Sequence, residues 1–329
     1  MIKPIVSVII PCHNSEKHLK ECIESLLLQS YGPENMELIF LNDCSTDQTL
    51  SILKAYELKY PESILILDLQ QHSGGMVGLV RNIGLSYATG KYVTFVDSDD
   101  MCSENMIATL TELIESDNNC DCAGCGAILF SEQTILRKYE SFDHTFDMLN
   151  PDDKKAYLLT EGQRCSVWGR LYKSDFIKEH SITFSETLHI AEDVNFHFRA
   201  MAYAHKISTT SKFLYLYRAS ENSLVRSVGL SPHYRNSFDA VNDIYADILK
   251  TDHNISFKQE WEYLYFVRGI VEVYFSLVQH NELKNTATEL TTMIDQLLTL
   301  APDILSNLYV QNATGGDALK KLIHERKTI

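Results

Sequence analysis

The first hundred residues alternate short β-branched runs with amphipathic stretches, a pattern that predicts strand–helix–strand units. Residues 6–10 are an apolar run closed by Pro11 and predict a first, buried strand. Leu19, Cys22, Ile23, Leu26 and Leu27 then recur at helical spacing, with Asn14 or Ser15 placed to cap the helix and Gly32-Pro33 to end it. Residues 38–41 predict a second strand that runs into Asn42-Asp43. From about Thr46, Leu50, Leu53 and Tyr56 share one helix face, and residues 64–69 predict a third strand. After a glycine-rich turn, a helix at 79–87 leads to a strand at 91–96 and the acidic run Asp97-Ser98-Asp99-Asp100. A further helix begins near Ser103. Repeated units of this kind make an α/β fold, a mostly parallel sheet flanked by helices on both faces. From about Ser231 the pattern is helical to the end, with Phe238, Val241, Ile244 and Ile248 on one face.

Composition narrows the function classes. Of 329 residues, 45% are apolar and 22% charged, with 7 Pro and 14 Gly, which is the makeup of a globular chain rather than a disordered or fibrous one. The formal charge of −15 argues against nucleic acid as a partner. The N-terminus lacks a cationic leader and a small-residue cleavage site, and the apolar stretch 263–278 carries Arg268 and Glu272 and is short for a bilayer. These features predict a cytoplasmic chain, with docking at the inner membrane face left open. Eight cysteines in that setting predict reduced thiols.

In open α/β sheets ligands bind at the carboxyl ends of the strands. Asn14, Asp43, Asp97 and Asp99 all fall at such ends. Each has a plain alternative as a helix cap. Two carboxylates in a D-x-D pair after a strand offer hard oxygen ligands suited to Mg²⁺ or Mn²⁺, and such an ion can hold a diphosphate. There is no G-x-x-x-x-G-K-[ST] loop, and Gly74-Gly75-Met76-Val77-Gly78 does not have G-x-G-x-x-G spacing. Cys120, Cys122 and Cys125 give C-x-C-x-x-C, a zinc spacing without a nearby fourth ligand, and core thiols are the favoured reading. His189 and His197 fit no ligand spacing and read as incidental.

Several blocks taken in order resemble a known family. They are Ser7-Val-Ile-Ile-Pro-Cys-His-Asn14, Asn42-Asp-Cys-Ser-Thr-Asp47, Arg81-Asn-Ile-Gly84, Phe95-Val-Asp-Ser-Asp-Asp100, Trp168-Gly-Arg-Leu-Tyr172, Glu192-Asp193, and Tyr215-Leu-Tyr-Arg218 followed by Ser223. Together they resemble family 2 glycosyltransferases with the GT-A fold, of the bacterial cell-envelope or exopolysaccharide kind, over roughly residues 5–225. The resemblance implies a GT-A domain at 1–228, which leaves 229–329 as a helical C-terminal region. It implies an inverting, metal-dependent enzyme that moves a hexosyl or N-acetylhexosaminyl group from a UDP-sugar to a glycan or lipid-linked acceptor. It places Pro11, Asn14, Asp43, Arg81, Asp97 and Ser98 around the nucleotide sugar, Asp99 on Mn²⁺ or Mg²⁺, and Asp193 as the catalytic base. Trp168, Glu192 and Arg218 would lie near acceptor or diphosphate.

Three features refine that expectation. Asp43-Cys44-Ser45 stands where the family usually has Asp-Gly-Ser, and His72 replaces a common Asn. The Gln-x-x-Arg-Trp motif of processive synthases is missing, which favours single additions. A helix N-terminus favours an ionised carboxylate, so Asp193 is expected to stay charged at neutral pH. The C-terminal helices could cover the acceptor cleft, dimerise or dock on a partner. Two rivals remain: a nucleotidyltransferase, which wants a glycine-rich basic signature missing after Ile10, and a noncatalytic glycan-binding subunit that kept the fold.

Overall fold

The computed structural model describes residues 6–132, 134–161, 166–219, 283–307, 311 and 314–325. The apolar stretch at 263–278 and the helix expected around Phe238 lie outside the described residues. So does Ser223.

The N-terminal alternation is realised. Strand β1 (Val6–Cys12) pairs in parallel with β2 (Met36–Asn42) and with β4 (Tyr92–Phe95), and β2 pairs in parallel with β3 (Ile64–Asp68). Between them run α1 (Leu19–Leu27), α2 (Thr49–Glu57) and α3 (Val77–Tyr87). Leu19, Cys22, Ile23 and Leu26 of α1 are the buried face, as their spacing predicts. Helix α3 lies close over β1 because residue 84 is glycine: a Cβ there would sit 2.6 Å from Ile9 Cγ2. The caps differ from expectation. Helix α1 follows His18 with no side-chain cap, because Asn14 Oδ1 accepts from Thr46 in the loop after β2 and the Ser15 hydroxyl is engaged with Ser98 after β4.

Beyond β4 the sheet turns mixed. Its order is β3-β2-β1-β4-β9-β6-β10-β5, with β7 on β6 and β8 on β10. These strands are β5 (Met101–Cys102), β6 (Cys120–Ser131), β7 (Thr134–Tyr139), β8 (His144–Asp147), β9 (Arg170–Lys173) and β10 (Lys206–Arg218). Helices α4 (Met106–Glu115), α5 (Pro151–Thr160), α6 (Ser174–Glu179) and α7 (Glu192–Tyr203) complete this part. Near the C-terminus lie α8 (Leu283–Leu300) and α9 (Thr314–Glu325). Leu290, Ile294, Leu297, Leu319 and Leu322 of these two helices join one apolar cluster with Ile9, Phe95, Phe184 and Phe196. Burial of that face anchors them to the sheet.

The C-x-C-x-x-C run is strand β6. A register shift against β10 leaves Asp121 as an extra residue, so Cys120 and Cys122 enter the cores on opposite faces of the sheet and do not converge on one ion. All three thiols are buried.

Candidate active site

The carboxyl ends of β1, β2 and β4 converge as expected, and their loops hold each other. Asn14 Oδ1 accepts from the Thr46 amide at 2.8 Å, and the Asn14 amide donates to Ser45 Oγ at 3.0 Å. Ser98 is buried, with its hydroxyl 2.7 Å from Ser15 Oγ. Pro11 pairs with Leu41 on the adjacent strand. Asp43 is no helix cap. Its carboxylate is buried and accepts from the Ser73 amide at 2.8 Å and the Ser73 hydroxyl at 2.6 Å. Asn14 and Cys44 both have left-handed backbones, at φ 48° and 51°. For cysteine this is a strained conformation where the family usually carries glycine.

His13 and His72 flank Asp43 with ring centroids 4.5 Å apart, and the three residues could offer ligand atoms to one ion. Their lone pairs are already engaged. His13 Nδ1 lies 2.6 Å from the Asp43 carbonyl, which leaves Nε2 to accept from Asn14 Nδ2, while His72 Nδ1 accepts from the Gly74 amide. A cation would have to open both contacts.

Arg81 ties the strand ends to the far side of the site. It is buried on α3, and donates from Nη2 to Asp97 Oδ1 at 2.8 Å and from Nη1 to Glu192 Oε1 at 2.6 Å. Its Nε is buried with no hydrogen-bond partner among the described residues. Glu192 therefore serves Arg81, while its neighbour Asp193 accepts from the adjacent Val194 amide. Ala191, just before them, has φ 67°, a kink that starts α7. The expectation that the helix N-terminus keeps Asp193 ionised is corrected here. Burial, with the Glu192 charge adding and Arg81 opposing, pushes its carboxyl up to about 7. Half a helix charge is too little to offset desolvation plus a like charge next door.

The acidic turn after β4 carries a comparable excess. Burial and the charge of Asp97 push the Asp99 carboxyl up to about 6, with Arg218 opposing. Asp100 is fully buried and is driven well above the usual carboxylate range by burial and by Asp97 and Asp99. Hard carboxylate oxygens whose charge is uncompensated fit a divalent cation. Among the described residues Asp97 is paired with Arg81, and neither Asp99 nor Asp100 has an ion pair, but both Asp100 oxygens are taken by Tyr215 and the Arg218 amide, which leaves Asp99. Arg218 donates from Nε to the Asp99 carbonyl at 2.8 Å and pairs with Glu21. The ring of Trp168 stacks on Tyr215 at 4.8 Å and on Tyr217 at 5.4 Å, half-buried beside the same turn.

Two groups escaped sequence reasoning. His197 is buried, with its ring nitrogens 2.8 Å from the Tyr157 hydroxyl and 3.0 Å from the Tyr172 hydroxyl, so it is a core link and not incidental. Tyr215 bonds to Asp100 at 2.6 Å. Neither has a spacing signal, because each partner is distant in sequence.

An α/β sheet with an acidic rim at the carboxyl ends of its parallel strands defines the class. The model of glycosyl transferase family 2 matches residues 7–180, more than half of the chain, and the chain belongs to that family. It is 29% identical over 264 residues to the uncharacterized glycosyltransferase EpsJ of Bacillus subtilis, covering 77% of this chain and 74% of that one. It is 31% identical over 251 residues to the poly(ribitol-phosphate) beta-glucosyltransferase of Bacillus spizizenii, covering 75% of this chain but only 37% of the relative. The fold matches Staphylococcus aureus TarS 1–349 in complex with UDP-GlcNAc, with a TM-score of 0.71 and 25% identity over 98% of this chain and 87% of that one. The expected GT-A fold is thus found. No helix among the described residues is long and apolar enough to cross a membrane.

Proposed function

We propose that the protein is an inverting glycosyltransferase that takes a UDP-sugar, UDP-N-acetylglucosamine or UDP-glucose first among candidates, and glycosylates a hydroxyl of a bacterial surface polymer or lipid-linked glycan. The observation that carries this reading is the Arg81 bridge, which ties the acidic turn of Asp99, through Asp97, to the start of α7 and Asp193, through Glu192. The solved complex of the TarS relative with UDP-GlcNAc and the glucosyl relative support the choice of donors.

Asp43 would bind the uracil edge as it now binds Ser73, and Asp97 would approach the ribose while Arg81 fixes its rotamer. Asp99 would hold Mn²⁺ or Mg²⁺, which when bound neutralises charge on the departing diphosphate. In transfer, the bond from the anomeric carbon to diphosphate oxygen breaks as the bond to the acceptor oxygen forms on the opposite face. The acceptor proton passes to Asp193. A carboxylate pushed up to about 7 is a stronger base than an ordinary one, yet is still largely ionised slightly above neutrality. A single displacement with a single base inverts the anomeric centre.

The test is a panel of UDP- and GDP-sugars with Mn²⁺, read by thermal stabilisation and by release of the nucleotide. Stabilisation by UDP-GlcNAc or UDP-glucose that needs Mn²⁺ is expected, since ligand binding raises stability by mass action. Stabilisation by GDP-sugars alone would overturn the donor assignment.

A further inference from the structure

We infer that Tyr215, through its hydroxyl, is the positioning residue that presets the acidic turn for its metal ion, an inference that rests on the reading of Asp99 as the metal ligand. The turn at residues 97–100 is closed on itself by the Asp100 amide, which donates to the Asp97 carbonyl at 3.0 Å. One turn of this kind does not fix where its carboxylates stand. Strand β10 does. The Tyr215 hydroxyl donates to Asp100 Oδ2 at 2.6 Å and accepts from the Asp97 amide at 3.2 Å, so one oxygen holds both ends of the turn. Its single proton and its lone pairs are used in complementary directions, which leaves one arrangement for the group. The next contacts along β10 are from Arg218, whose amide donates to Asp100 Oδ1 at 2.7 Å and whose Nε donates to the Asp99 carbonyl.

Tyr215 is itself immobile. It is fully buried, pairs with Cys102 of β5 on one side and Ala127 of β6 on the other, and carries the Trp168 ring stacked at 4.8 Å. The Trp168 segment turns at Gly169, whose φ of +66° lies in the left-handed region that favours glycine. The hydroxyl thus transmits the rigidity of the mixed half of the sheet to a turn that carries the donor-side carboxylates. Outer partners that orient a metal ligand commonly govern affinity by 10–100-fold.

The experiment compares wild type, Tyr215→Phe and Leu110→Ala for Mn²⁺ binding in the presence of saturating UDP, read by electron paramagnetic resonance of the free ion. Tyr215→Phe keeps the ring and its stack and deletes only the hydroxyl. Leu110 is buried in the same apolar cluster, on α4, and its truncation supplies a packing loss that the melting curve reads. The expected result is at least a roughly 10-fold weaker Mn²⁺ affinity for Tyr215→Phe, wild-type affinity for Leu110→Ala, and kcat of Tyr215→Phe restored by excess Mn²⁺. Equal Mn²⁺ affinity in wild type and Tyr215→Phe would overturn the inference, as would an equal loss in Leu110→Ala. A wild type that binds no Mn²⁺ even with UDP would instead overturn the metal reading of Asp99, and this inference with it.

Discussion

In the parallel half of the sheet, β3-β2-β1-β4, the polar site residues sit on loops and bond to neighbouring loops: Asn14 to Thr46, Ser15 to Ser98, Asp43 to Ser73. In the mixed half, the corresponding residues are buried and bond across the molecule: Tyr215 to Asp100, His197 to Tyr157 and Tyr172, Glu192 to Arg81. The first half presents a rim on which a nucleotide can be read by short polar contacts. The second half is a set of buried cross-links that fix a few carboxylates in place. An exposed rim group such as Asn14 can be exchanged at small cost in stability, whereas a buried cross-link cannot be cut without leaving an unpaired partner behind. Arg81 is the seam between them, since it reaches both Asp97 and Glu192.

Cutting the seam is expected to give the largest effect. Arg81→Met keeps the apolar stem and leaves Glu192 buried beside Asp193 without its cation. A buried pair broken from one side costs about 3–5 kcal/mol. Urea unfolding of the variant should show that loss. A drop below about 1 kcal/mol, the range of exposed ion pairs, would mean that the seam is a surface contact and that the contrast between the halves fails there.

The next effect separates chemistry from packing within the mixed half. Asp193→Asn is nearly isosteric and should cut turnover by at least about 10²-fold while leaving UDP affinity unchanged. Glu192→Gln should act chiefly through Arg81, with a lowered melting temperature and a milder loss of rate. If Asp193→Asn turns over normally and Glu192→Gln does not, the base has been placed on the wrong neighbour.

On the rim, Asp99→Asn should erase the difference between UDP affinities measured with and without Mn²⁺, and calorimetry reads this directly. Without metal the melting temperature should not fall, because the amide removes a carboxylate charge that burial disfavours. A large loss of stability would place Asp99 with the buried cross-links and remove the contrast it is meant to sharpen.

The same contrast explains what could be read from the residues alone. Asp43, Asp97 and Asp99 were legible because a strand end is a local pattern: a β-branched run, then a carboxylate, then a helix. The parallel strands and the face of α1 were legible for the same reason. The Arg81–Glu192 pair was not, because its members are 111 residues apart and nothing in the spacing of either points to the other. Nor was the raised carboxyl of Asp193 legible. Its position at a helix start is local and suggests an ordinary anion, while the burial that overrides this comes from the whole fold. His197 and Tyr215 sit on apolar faces where core packing hides a polar role, and the register shift that parts Cys120 from Cys122 arises only from pairing with β10.

The last expected effect is a pH dependence of opposite sign for stability and for rate. Asp193 is held near 7 in the folded chain, against about 4 for an unfolded aspartate. Between those values the folded chain binds the extra proton, so stability falls as pH rises from about 4 to about 7 and the loss is complete above that window. Asp99, pushed up to about 6, contributes with the same sign over a narrower range. Turnover runs the other way, because only the ionised Asp193 accepts a proton, and it should climb with a midpoint near 7. Metal-free melting temperatures at pH 5 and pH 8 measure the first quantity, and Asp193→Asn should reduce their difference without abolishing it, since Asp99 remains. A slope unchanged by Asp193→Asn would show that Asp193 titrates as an exposed carboxylate does. The rate profile then loses its cause as well, and Asp193 would belong with the rim rather than with the buried half.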